Sequence, residues 1–225
     1  MAKARSKADR LGEARNRRRN VHFWHAFVWL LIGAVLYAIA LAVAVLLYPD
    51  PKDVLAPVIG PSLYLTPLFG LPYLLASVRQ RGWGQRLLYF EVALPVAHVA
   101  ANYLAWRHAM LSFPLEPDPQ AYVRDLGAGA VGGLAGGTLA LMLLVPLRLV
   151  SLGAGSRAVI LLGIVTLTVP GALGMAQGLL FTNALEYPLQ SARFVFWLES
   201  VHLPWHICLA FFLAWLMRLG RRPGA

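Results

Sequence analysis

The chain has 225 residues, of which 59% are hydrophobic and only 13% charged, against about half apolar and a quarter charged in a soluble domain. So little charge cannot coat a soluble globule. Twenty Lys and Arg against ten Asp and Glu leave a formal +10, and the single cysteine, Cys208, excludes a disulfide scaffold.

A transmembrane helix needs about 20 mostly apolar residues, and six stretches qualify. The expected fold is therefore an all-α integral membrane protein, a bundle of six transmembrane helices with both termini cytoplasmic. The spans are expected at 23–48, 54–78, 87–106, 126–150, 158–181 and 194–217. Residues 1–22 and 219–225 form basic cytoplasmic tails around a membrane domain, 23–218.

The first 22 residues carry Lys3, Arg5, Lys7, Arg10, Arg15, Arg17, Arg18 and Arg19 against Asp9 and Glu13. Such a cluster is a topology determinant that binds anionic lipid headgroups. It has no interleaved aromatics, so nucleic acid is not an expected partner. The span after it is too long for a signal peptide, and His22, Phe23, Trp24 and Trp29 at its start are those of an interfacial belt. Trp83 and Trp106 have the same character at other span ends.

Alternating the spans places 16 of the 20 basic residues on one side, leaving Lys52, Arg107, Arg124 and Arg193 on the other. This satisfies the positive-inside rule for an inner-membrane protein. No connection is long enough for a soluble catalytic domain.

The second expected span carries Pro57, Pro61, Pro67 and Pro72, each of which deletes an amide donor, so a kinked or broken helix is expected there. The fourth opens with Gly127, Gly129, Gly132, Gly133, Gly136 and Gly137. Their spacing is that of small-xxx-small helix packing rather than a dinucleotide loop, which would have to follow a strand. The smooth helix 126–150 offers close packing, docking of a second copy or another membrane subunit, or space for a flat cofactor or pore. Gly174 and Gly178 repeat the theme in the fifth span.

Titratable groups inside a span are costly and need a partner or a purpose. Glu91, His98 and Asn102 share one face of the third span, and Glu199, His202 and His206 share one face of the sixth. The two helices run in opposite directions, and His98 and His202 each lie eight residues from an outer end, so both histidines are expected at one depth. If the third and sixth helices are neighbours, these six residues form a descending polar ladder. Pro95 and Pro204 also free the Glu91 and Ser200 carbonyls beside it.

Three readings follow. The first is a transporter or channel-like protein with a His/Glu proton or cation path. The second is a redox subunit in which His98 and His202 bind b-type haem, or in which Glu199, His202 and a further histidine hold a metal. The third is a non-catalytic assembly subunit. No HExxH motif, GxSxG elbow or histidine box supplies a catalytic centre, and the sequence requires no cofactor.

Overall fold

A computed structural model describes residues 7–47, 60–112, 121–184 and 190–220. Most of these are helical, with no strand among the described residues. Helix α1 covers Lys7–Leu47 and reaches back through the basic segment. Two short helices follow, α2 (Pro61–Tyr64) and α3 (Pro67–Ala76). Helix α4 (Trp83–Leu88) runs through a π-helical turn, Tyr89–Ala93, into α5 (Leu94–Ser112). The remaining helices are α6 (Ala121–Met142), α7 (Ala154–Ala184) and α8 (Gln190–Gly220).

Five segments are long and apolar enough to cross a membrane: His22–Leu47, Trp83–Ala109, Tyr122–Met142, Ala154–Gly178 and Val195–Leu219. The second expected span, 54–78, departs from the sequence reading. Residues 54–59, with Pro57, lie outside the described residues, and Ser62–Ala76 is a shorter apolar segment broken between α2 and α3. Pro61 and Pro67 each take the first position of a helix, where a missing amide costs nothing. The Leu63 carbonyl, which an uninterrupted helix would bond to residue 67, instead accepts from the Thr66 amide at 3.1 Å. Pro61 and Pro67 thus start helices, while Pro72 lies inside α3.

The fourth span also ends early, at Met142 rather than 150. Pro146 has no amide to offer the Met142 carbonyl, which accepts from Val145 at 3.1 Å instead. The chain then closes in a Schellman pattern: Leu149 N–H donates to the Leu144 carbonyl at 3.0 Å and Arg148 N–H to the Val145 carbonyl at 2.9 Å. Arg148 takes the left-handed position at φ 56°, where glycine is usual.

The third span carries its irregularity as the π turn. Leu94 N–H donates to the Tyr89 carbonyl, five residues back, immediately before Pro95. A widened turn therefore accommodates the donor that Pro95 lacks.

Packed pairwise, α5 lies against α6, α6 against α7, α7 against α8, α8 against α1, and α1 against α3; α3 in turn touches the π turn. The helices thus close into a ring. One end is filled by Leu30, Phe69, Tyr73, Phe90, Leu141 and Leu213. A second cluster of Tyr37, Leu41, Val45 and Leu198 joins α1 to α8.

Glycines set the closeness of the ring. A Cβ at Gly129 would run into the Gly171 carbonyl, and one at Gly171 would lie 2.7 Å from the Gly129 carbonyl oxygen, so α6 and α7 meet backbone to backbone. Gly132 and Gly136 take the side chains of Ala105 and Ala101 from α5. A Cβ at Gly174 would strike the Ser200 carbonyl, the group freed by Pro204. The close-packing reading of these glycines is therefore met within the chain.

Candidate functional site

Of the six polar residues singled out in the sequence, two are in direct contact. His98 on α5 and His202 on α8 come together: their rings stack with centroids 5.1 Å apart and planes 10° from parallel. The two helices have little backbone contact, so the imidazoles themselves bridge the ring's interior. The depth arithmetic for these two residues thus has its counterpart in direct contact.

His206 lies one helical turn further along α8 and is fully buried. Its Nδ1 lies 2.9 Å from the His202 carbonyl oxygen. A carbonyl can only accept, so Nδ1 carries the proton, and in a neutral ring Nε2 is then an acceptor. That Nε2 is buried without a hydrogen-bond partner among the described residues. Tyr37 and Phe69 close around the ring at centroid distances of 4.4 and 4.8 Å, and Trp205 stands edge-on at 5.5 Å. Tyr37 in turn donates to the Ser62 carbonyl at 3.1 Å, tying α1 to α2.

Glu199 makes no hydrogen bond to the His98–His202 pair. Both of its carboxyl oxygens are buried without a hydrogen-bond partner among the described residues, and the group lies within electrostatic reach of Tyr37. Glu91 lies in the π turn and is half-buried. A uniform 3.6-residue pitch puts Glu91 under His98, but the surplus residue of the π turn changes the phase between them.

Next to the stacked pair lies a partly open cavity of about 240 Å³. It extends from His98 to Ala109, about 16 Å along α5. Asn102 and Trp106 line it from α5, and Gly129, Gly132, Gly133 and Gly136 from α6. Gly171 and Met175 contribute from α7, Trp197, Val201, His202 and Trp205 from α8, and Ser62 from α2. Trp106, expected as a span-end anchor, is thus part of a cavity wall. Glu91, Glu199 and His206 do not line it. Below the pair, Tyr37, Phe69 and Phe90 are fully buried and close the interior.

Sequence reasoning missed Tyr37, Phe69, Trp197 and Trp205. The signal for two of them was present: Trp197, Val201 and Trp205 recur every four residues on the face next to His202. Nothing local marks Tyr37 or Phe69, whose role comes from the packing of α1 and α3 against α8.

The stack bears on the metal and haem readings. Two imidazoles ligating one haem iron direct nitrogens at each other across the macrocycle, whereas His98 and His202 present ring faces to each other. These residues, as placed, do not fit that group. Among the described residues, no three His, Cys, Asp or Glu side chains converge as a metal site requires.

Neither a protein-family model, a curated protein nor a solved structure matches the chain.

Proposed function

We propose that the chain is a polytopic inner-membrane protein of the transporter or channel-like kind, in which a buried imidazole relay joins a one-sided cavity to the opposite half of the bundle. The observation that carries this reading is the His98–His202 stack at the base of the cavity, with the His206 ring one turn beyond it, bonded through Nδ1 to the His202 backbone carbonyl. Neutral imidazoles pass protons by accepting at one nitrogen and donating from the other. Glu91 would supply a carboxylate beyond the histidines, Glu199 would supply one a turn before His202 on α8, and Asn102 would hydrate the entrance.

Insertion in a bilayer is supported by the outward faces of the helices. Trp24, Val28, Ile32, Val35, Ile39 and Val43 are exposed along α1, and Leu161, Leu162, Val165, Val169 and Leu173 along α7. Apolar stripes at these intervals suit lipid and not water. The charge distribution supports cytoplasmic termini, with the basic tail against anionic headgroups. The glycine faces of α6 are occupied by α5 and α7, so a second copy or membrane subunit would meet exposed residues such as Val123 and Leu134.

The test is proton flux in proteoliposomes carrying an internal pH-sensitive dye, after an imposed pH step. His98→Ala and Glu199→Gln should each reduce the flux at least tenfold. Flux at the wild-type level in both variants would overturn the relay.

A further inference from the structure

The cavity beside the histidine pair turns mostly carbon towards its contents. Eleven of its eighteen wall residues are Gly, Ala, Val, Leu or Met and three are Trp, with no Asp, Glu, Lys or Arg among them. Two of the polar atoms nearby do not reach it: Nε2 of His98 and the indole nitrogen of Trp197 are both buried out of the space. A charged ligand would lose its hydration there without acquiring a counter-charge, which is strongly unfavourable. Cavities walled in this way take apolar guests.

The dimensions narrow the choice further. Along α5 the wall runs from His98 to Ala109, about 16 Å, with Ala101, Ala105 and Ala109 repeating every four residues opposite the glycines of α6. Spread over that length, about 240 Å³ leaves a mean cross-section of about 15 Å². Carbon atoms in contact lie about 3.5–4.0 Å apart, so a single file of methylenes fills a column on the order of 13 Å² in section. Two files abreast need about twice that. The length has a counterpart as well, since about 15 Å is half of the ~30 Å hydrocarbon core, the depth of one leaflet's chains.

The source of such a guest is set by the surroundings. The helices present apolar stripes outward, and the hydrocarbon that meets those stripes in a bilayer is acyl chain. We infer that the cavity seats one unbranched acyl chain of a membrane lipid, held between α5, α6, α7 and α8, with the headgroup outside the wall. The inference rests on the bilayer part of the proposed function and not on the relay. A chain seated there excludes water from His98 and His202, so the cavity serves as a proton entrance only while the chain is out.

The experiment uses the full chain in digitonin, a steroidal detergent without an unbranched alkyl tail, and reads binding by equilibrium dialysis against detergent-matched buffer. The probe is radiolabelled lauroyl lysophosphatidylcholine. Glycerophosphocholine, the same headgroup without a chain, and the same headgroup on a methyl-branched phytanoyl chain serve as comparisons. Saturable binding of one lauroyl lipid per chain is expected, about tenfold or more tighter than the branched lipid, with none of the bare headgroup. Val201→Phe, which pushes a ring into the cavity wall, should weaken binding about tenfold or more. Met175→Ala, which widens the wall, should admit the branched chain and close the gap between the two lipids. Val169→Phe on the outward face of α7 should leave the affinity unchanged. If Val201→Phe does not fold, Met175→Ala and the comparison lipids decide. Absence of a saturable component, equal affinity for the branched chain, wild-type affinity in a folded Val201→Phe, or the same loss in Val169→Phe would overturn the assignment. Because binding is read directly, a protein that binds the chain but fails the flux assay loses only the relay, and one that passes the flux assay without binding loses only the lipid.

Discussion

Gly33 faces the backbone of Phe69, and a Cβ placed there would run into the Phe69 carbonyl. Backbone cannot move aside as a flexible side chain does, so Gly33→Ala should push α3 away from α1. The expected loss is about 1–3 kcal/mol, read as a lower melting temperature in detergent; an unchanged value would mean that α1 and α3 do not meet there. Tyr37→Phe is a gentler probe of the same region. It deletes the hydroxyl bonded to the Ser62 carbonyl at 3.1 Å and should cost about 1 kcal/mol while leaving the ring against His206. At this scale the sequence was informative where regular geometry held. Equal depth for His98 and His202 follows from counting residues along two straight helices, and the rings do stack. Glu91 escaped because a π turn intervenes, and Glu199 because its burial depends on α1, which no spacing within α8 encodes.

Proline decides the elements. The expectation of a broken second helix rested on four prolines, and among the described residues the break falls where Pro67 restarts the chain. What the sequence did not reveal is that the two pieces are too short to count as one long helix. The fourth element ended early for a related reason, Pro146 opposite the Met142 carbonyl, since an apolar run of unchanged hydropathy hides a change of backbone. Its closing turn puts Arg148 at φ 56°, a conformation that costs an L-residue about 1–2 kcal/mol. Arg148→Gly should accordingly raise stability by up to about 1 kcal/mol, part of the relief being offset by a more flexible unfolded chain. Thermal unfolding of the purified variant checks the sign, and a fall in melting temperature would contradict the cap.

At the scale of the whole molecule, composition was the most reliable guide. A chain with 13% charge has few groups to spare for a wetted surface, and the helices present apolar stripes outward. The ring order of the helices was not legible, because small-residue faces say that helices approach closely but not which partner each takes. The proposed orientation has a direct test. Cys208 is the chain's single cysteine, so Cys208→Ser yields a background into which one reporter thiol can be placed at a time. Thiols at Arg107 and Arg157 should react with a membrane-impermeant maleimide from opposite sides of intact vesicles. Labelling of both from one side would contradict the alternation.

The π turn at Tyr89–Ala93 has a consequence for how this chain tolerates change in length. A π turn is in effect an α-helix carrying one surplus residue. Removing a residue from an ordinary span rotates everything beyond it by about 100° and exchanges buried for lipid-facing side chains. Here a deletion would convert the turn to regular pitch while α4, bounded by Gly82 at φ 79°, absorbs the rotation at its glycine end. The segment is therefore the place among the described spans where a shortened relative of this protein would most readily retain the histidine pair.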